Sequence, residues 1–284
     1  MIHVENLSQT FSGRRGPSVE ALRGIDLSVD EGEFVAAIGR SGCGKSTLLR
    51  LIAGLMPATG GHVSVAGDRV LRPSREVGMV FQRPALLPWR SVLENVLLPV
   101  EIFGWHRPTH REHAYELLEM VGLREFDRRL PHELSGGMQQ RVALCRALIT
   151  RPKVLLMDEP FSALDALTRA ELAVELQRIH MELRTTIVFV THSVQEAVLL
   201  ADRVAVLTAR PGRIREVVKV DIPRPRSFGL NSHTDDVGQC SAQLHDLLLA
   251  SEDLPSAAPV VPLQTREFRV EARANGAGAH RRDA

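Results

Sequence analysis

The sequence predicts an α/β fold built on a sheet covered on both faces, and three observations carry that expectation. An unbroken apolar run, Phe34–Ile38, ends in glycine and leads through a glycine-rich turn into a helical stretch. Between Val154 and Leu207, short apolar runs alternate with helical patterns. Between these two regions lies a segment, about 84–151, with helical texture and prolines at its joints. Short apolar runs bounded by turn signals read as buried parallel strands, and parallel strands need helical crossovers to join them.

Taken in order, Ile2–Leu7 and Gly24–Val29 alternate loosely and read as strands. Phe34–Ile38 is a buried strand, and Leu48–Leu55 has helical character. Val63–Val65 and Val77–Phe81 are further strand candidates. His110–Val121 and Gly137–Ile149 carry helical periodicity and define an inserted helical subdomain of about 84–151. Val154–Met157 returns as a strand, followed by an amphipathic helix Thr168–Leu183, a strand Thr186–Val190, a helix Val194–Ala201 and a strand Val204–Leu207. Beyond Pro223 the pattern weakens, with a helix expected at Ala242–Ala250. Residues 1–250 therefore read as one domain, and 251–284, rich in Pro, Ala, Gly and Arg, as a mostly disordered tail. No internal repeat is visible.

Composition excludes several classes. Lys plus Arg is 35 and Asp plus Glu is 34, a net charge of +1, which gives no electrostatic reason to expect nucleic acid as a partner. The three cysteines, Cys43, Cys145 and Cys240, form no CxxC pair and no disulfide framework, which points to a reducing compartment. Met1–Glu5 does not read as a signal peptide, and no apolar run reaches the ~18 residues needed to span a bilayer.

Gly39-Arg40-Ser41-Gly42-Cys43-Gly44-Lys45-Ser46, continued by Thr47, fits G-x-x-x-x-G-K-[ST] between a strand and a helix. Glycines let such a loop curl its backbone N–H groups toward phosphate oxygens, and the following helix presents its positive end to the same anion. Lys45 is placed for the β- and γ-phosphates, and the Ser46 hydroxyl for Mg²⁺. Cys43 reads as a small packing residue, although a helix N-terminus would lower a thiol pKa.

Val154–Met157 runs into Asp158 and Glu159. A strand end puts both carboxylates at the sheet edge where α/β ligands sit, and strand alternation sends them to opposite sides and so to different tasks. Asp158 suits Mg²⁺ and Glu159 a general base that orients water. His192 and Gln82 follow strands that end at the same edge, the first suited to the γ-phosphate and the second to the metal or the water.

Leu134-Ser135-Gly136-Gly137-Met138-Gln139-Gln140-Arg141 precedes a helix and offers a second phosphate-binding helix start in a chain that already has one. That duplication makes sense if Ser135, Gly136 and Gly137 read the ATP of a partner subunit. The segment resembles the L-S-G-G-x-Q signature of the ATP-binding-cassette (ABC) ATPases, and the resemblance runs from about Met1 to Leu249. It implies a P-loop NTPase ABC ATPase core with an N-terminal antiparallel β subdomain and the inserted helical subdomain. It implies MgATP binding and hydrolysis in a head-to-tail dimer, either a homodimer or a paired ATPase subunit. It also implies that Phe11 stacks on adenine and that Gln82 links nucleotide state to the membrane subunit. Asp158 is implied as the Mg²⁺-associated aspartate, Glu159 as the catalytic glutamate and His192 as the switch histidine. Ser162–Asp165, and Asp165 in particular, is implied as the loop that crosses the dimer interface. Phe11 departs from the commoner tyrosine, and Met138 from the commoner glutamine.

Gly39–Gly44, Phe81-Gln82 with Leu86–Trp89, Leu164–Arg169 and Asp221–Arg226 are similar to the import ATPases for nitrate, sulfonates and taurine. That likeness implies transmembrane permease subunits, a separate solute-binding protein and a peripheral place on the cytoplasmic face of the bacterial plasma membrane. Two alternatives stand beside it: a non-transport ABC ATPase, and a regulatory nucleotide-binding module. Leu86–Val100, with Trp89, suits docking of a helix from the membrane subunit; the alternative is that Trp89 caps the core of the helical subdomain.

Overall fold

The computed structural model describes residues 1–12, 18–227 and 234–250, and the tail expected at 251–284 lies outside the described residues. Among the described residues, ten strands and eight α-helices follow one another. β1 (Ile2–Phe11) and β2 (Val19–Val29) pair antiparallel, and β4 (Gly60–Val65) joins β1 on its other side, with β5 (Asp68–Arg69) beyond it. The second sheet is six-stranded. β3 (Phe34–Ile38), β6 (Val77–Val80), β7 (Val154–Asp158), β8 (Thr186–Thr191) and β9 (Arg203–Leu207) run parallel within it. β10 (Ile214–Lys219) closes one edge antiparallel to β9, in the order β10-β9-β3-β8-β7-β6. The α/β expectation, with its antiparallel N-terminal part and inserted helices, is therefore correct.

Period-two alternation divides the central strands between two cores. Val35, Ala37, Val154, Leu156, Val188 and Val190 face the antiparallel sheet and α1 (Lys45–Ile52), which lies between the sheets. Phe34, Ala36, Leu155, Met157, Ile187 and Phe189 face the remaining helices. A strand buried on both faces must be apolar throughout, which is why these runs show no alternation in sequence.

α2 (Val92–Val96), α3 (Leu98–Ile102), α4 (Arg107–Met120) and α5 (Gly136–Leu148) lie in the chain between β6 and β7. α6 (Ala166–Leu183), α7 (Val194–Leu200) and α8 (Thr234–Leu249) complete the set. Side-chain caps set several of the helix starts. Ser91 and Glu94 form a reciprocal box at α2, Ser135 accepts the Met138 N–H at α5, and Asp165 accepts from Leu167 and Thr168 at α6. Each such cap contributes about 1 kcal/mol.

The structure departs from expectation at some boundaries. α1 starts at Lys45 rather than Leu48, inside the phosphate motif, and α8 starts at Thr234 rather than Ala242. α2, α3, β5 and β10 have no counterpart in the pattern reading. β10, Ile-Arg-Glu-Val-Val-Lys, is an edge strand too polar to give a continuous apolar run.

The β9–β10 turn positions the phosphate loop. The Gly212 N–H donates to the Ala21 carbonyl at 2.9 Å, and the Arg23 N–H donates to the Gly212 carbonyl at 3.0 Å. A Cβ at Gly212 would sit 2.0 Å from the Cys43 carbonyl oxygen, so the turn lies directly on the loop. Gly212→Ala is expected to lower the denaturant midpoint by the equivalent of about 1–3 kcal/mol, since no side chain fits there without backbone shifts. Gly238→Ala, in α8 with nothing within 4 Å, is the control and should be neutral or slightly stabilising.

Candidate active site

The phosphate loop leaves β3 at Gly39 and enters α1 at Lys45. Gly44 caps the helix at φ 99°, and a Cβ there would meet Leu22 Cδ2 at 2.6 Å and the Ala21 carbonyl at 2.9 Å. Only glycine satisfies both the backbone angle and the close approach. Lys45 follows and is 5% exposed. Its ammonium donates to the Gly39 carbonyl at 2.7 Å and to the Arg40 carbonyl at 3.2 Å, and lies 3.9 Å from Glu159 Oε1.

Asp158 ends β7 and is buried. Ser46 Oγ donates to its Oδ1 at 2.7 Å. Burial pushes the Asp158 carboxyl above the usual carboxylate range, against the Ser46 hydrogen bond and the Arg50 charge, which lower it. Glu159 takes φ 44°, a left-handed angle unusual for this residue type. The two carboxylates do face different partners, but through this backbone reversal rather than through strand alternation, because the strand ends at Asp158. Glu159 Oε2 lies 3.3 Å from His192 Nδ1. Gln82 Nε2 donates to Ser162 Oγ at 3.1 Å, and Ser162 Oγ donates to the Glu159 carbonyl at 2.9 Å.

Lys45, Ser46, Gln82 and Glu159 line an open pocket of about 360 Å³ together with Ser41, Gly42, Gly44, Thr47 and Phe11, while Asp158 and His192 adjoin it through Ser46 and Glu159. Phe11 is 42% exposed. Gly39 and Cys43 are buried beneath the loop, and Arg40 is exposed.

The sequence model of the family described as ABC transporter matches residues 22–162. An uncharacterized ABC transporter ATP-binding protein of Methanocaldococcus jannaschii is 52% identical over 225 residues, covering 79% of this chain and 84% of its own. A taurine import ATP-binding protein of Rhizobium johnstonii is 41% identical over 264 residues, covering 91% of this chain and 100% of its own. The ATP-binding cassette MJ0796, solved as a dimer in a post-hydrolysis state with ADP and Pi, aligns with a TM-score of 0.67 at 31% identity, covering 80% of this chain and all of its own. The chain belongs to the ABC transporter family.

In this ABC cassette, Ser135, Gly136, Gly137 and Asp165 do not line the phosphate-loop pocket of their own chain. They cap α5 and α6, whose starts pack together: a Cβ at Gly137 would sit 2.4 Å from Thr168 Cγ2. Hydrogen bonds from the backbone and side chain of Thr168 hold the Asp165 carboxyl below its ordinary range. Pattern reading missed Val19, Ala21 and Arg210 in the pocket wall. Arg210 donates from Nε and Nη2 to the Gly42 carbonyl at 3.3 and 3.2 Å. No motif announces these residues, because tertiary packing of β2 and the β9–β10 turn brings them there.

Ser46, Asp158 and Gln82 fit a Mg²⁺ site in their chemistry. Mg²⁺ takes oxygen ligands, uses one or two carboxylates and completes its shell with phosphates and water. A buried carboxylate raised by desolvation gains from a nearby cation. Among the described residues no cluster of three His, Cys, Asp or Glu side chains could hold a metal by itself.

Trp89 is 72% exposed and does not cap the helical core, where Leu86 packs instead. All three cysteines are free and buried. Burial pushes the Cys43 thiol up, outweighing the Lys45 charge that opposes it, so the activation suggested by a helix N-terminus is not realised. Native protein at pH 8 should therefore react with iodoacetamide far more slowly at Cys43 than unfolded protein does, as peptide mass mapping would show; equal rates would contradict the burial.

Proposed function

We propose that the chain is the ATP-hydrolysing subunit of an ABC import system and couples closure of an ATPase dimer to solute passage through separate permease subunits. The observation that carries this reading is one pocket lined by Phe11, Lys45, Ser46, Gln82 and Glu159, with Asp158 bonded to Ser46 and His192 to Glu159 behind them. ATP is the substrate, with Phe11 against the adenine and Gly39–Thr47 around the phosphates. Ser46, Asp158 and Gln82 would hold Mg²⁺, which neutralises phosphate charge when bound. Glu159 takes the proton of the attacking water, and His192, hydrogen-bonded to it, fixes that carboxylate and faces the γ-phosphate.

Ser135–Gly137 and the Ser162–Asp165 loop complete the site of a second copy, head to tail. Two points support that assignment: Ser135–Gly137 and Asp165 are absent from the lining of the chain's own pocket, and the related cassette is a dimer. Contacts made across the interface only in the closed state let ATP shift the population toward closure, and hydrolysis removes them.

The permease docks beside Gln82. An open groove of about 350 Å³ there is lined by Met79, Phe81, Leu98, Pro99, Ile102 and Phe103, and Trp89 is exposed. By the likeness to import ATPases, the permease supplies the membrane path and holds this chain at the cytoplasmic face of the plasma membrane; no described helix is itself long and apolar enough to cross a membrane. The solute is taurine, nitrate or a similar small anion delivered by a separate binding protein. This follows from the sequence resemblance and the taurine-importer relative alone.

Lys45→Ala is expected to abolish tight MgATP binding. Glu159→Gln should bind MgATP normally, hydrolyse it about 10²–10⁴-fold more slowly and accumulate an ATP-dependent dimer on gel filtration; normal turnover would remove Glu159 from the role of base. Trp89→Ala should leave soluble ATPase activity intact while abolishing co-purification with the permease.

A further inference from the structure

His192 is 58% exposed at its side chain, yet its Nδ1 stays 3.3 Å from Glu159. What aims it is the backbone turn that carries it. Thr191 Oγ1 accepts the Ser193 N–H at 3.0 Å and donates to Glu196 Oε2 at 2.5 Å. Ser193 Oγ accepts the Glu196 N–H at 3.3 Å. The residues on both sides of His192 are thus tied to Glu196, a carboxylate 5% exposed with no place in the nucleotide pocket.

Glu196 Oε1 also faces Arg169 Nε at 3.8 Å, and that nitrogen is buried without a hydrogen-bond partner. Arg169 Nη2 donates to the Leu164 carbonyl at 3.0 Å, inside the Ser162–Asp165 loop. Thr168, the neighbour of Arg169, packs on the α5 start: a Cβ at Gly137 would lie 2.4 Å from Thr168 Cγ2. A chain of contacts therefore runs from the Leu164 carbonyl through Arg169, Glu196 and Thr191 to His192, with the start of α5 packed against Thr168 beside it. A buried carboxylate is costly unless its bonds are kept, so displacing the 162–165 loop must be felt at the Glu196 carboxylate.

We propose that Glu196 is a positioning residue that holds the His192 turn against Glu159, and that Arg169 makes this hold depend on the Ser162–Asp165 loop. The proposal rests on the ATPase reading of the site. Arg169 and Glu196 act as one unit, and Glu196 works through the Thr191 hydroxyl.

The test measures steady-state ATP turnover, MgATP affinity and thermal midpoint of the full chain as wild type, Glu196→Ala, Glu196→Gln, Arg169→Ala and the Arg169→Ala/Glu196→Ala double variant. Glu196→Ala is expected to lower kcat about 10- to 100-fold, with KM and MgATP affinity within about 2-fold of wild type. Glu196→Gln keeps an acceptor for Thr191 and should recover most of the rate. Arg169→Ala should lower kcat less, and the double variant should be no slower than Glu196→Ala, since coupled residues are non-additive. Unchanged kcat in Glu196→Ala, no recovery in Glu196→Gln, or additive losses in the double variant would overturn the proposal. If Glu196→Ala does not fold, Thr191→Val removes the same hydroxyl contact at equal size and must show the same kcat loss; a normal rate there is equally fatal. Lys45→Ala and Glu159→Gln run alongside. Losses in those two without one in Glu196→Ala remove the positioning role alone, whereas normal rates in all remove the reading of the site.

Discussion

An ammonium group buried among backbone carbonyls constrains much of this molecule. Lys45 leaves the first turn of α1 and turns back under the phosphate loop, where it donates to Gly39 and Arg40 and approaches Glu159. A charge 5% exposed is tolerable only if it is bonded and paired. The bonds require β3 to stop at Gly39 and the loop to reverse at Gly44, and the pairing requires the end of β7 to lie beside α1. The antiparallel sheet then closes over the same helix, and its Leu22 and Ala21 leave no room for a side chain at Gly44. The phosphate loop is therefore a junction of two sheets rather than an isolated motif.

The two adjacent carboxylates show how one strand end supports two chemistries. Asp158 completes β7, is buried and takes the Ser46 hydroxyl. One residue later the backbone passes through the left-handed region, at a strain of about 1–3 kcal/mol, and delivers Glu159 to His192 and Lys45. That strain persists because its surroundings over-determine it. The Glu159 N–H bonds the Val190 carbonyl, and the Phe161 ring packs against Phe189 of β8 at 5.6 Å, tilted by 47°. The Glu159 carboxylate is thus held by core packing two residues downstream.

Much of this was legible in the chain. Phe34–Ile38 is a strand at the expected residues, because a strand buried on both faces must be continuously apolar and its glycine end is fixed by phosphate-loop chemistry. Gln82, Glu159 and Phe11 line one pocket, and His192 reaches it only through Glu159. Illegible were β10, whose polar edge-strand pattern hides it, and α2 and α3, two short helices that only tertiary packing and the Ser91–Glu94 box sustain. Arg169 reads in the sequence only as the last residue of the Leu164–Arg169 resemblance and Glu196 only as part of a helix, and their pairing depends on how α6 and α7 pack.

The sequence by itself determined the fold class, the phosphate loop and the identity of the carboxylates, because each rests on local chemistry at fixed spacing: glycine where the backbone must curl, lysine and a hydroxyl next to it, acids at a strand end. Tertiary structure alone decided how those groups meet. It turned Glu159 through a positive φ, buried Cys43 until its thiol was suppressed, laid the Gly212 turn against the Cys43 carbonyl and set Glu196 behind His192. Such outcomes join residues far apart in the chain, and they are fixed by which surfaces remain to be covered once the local elements have formed.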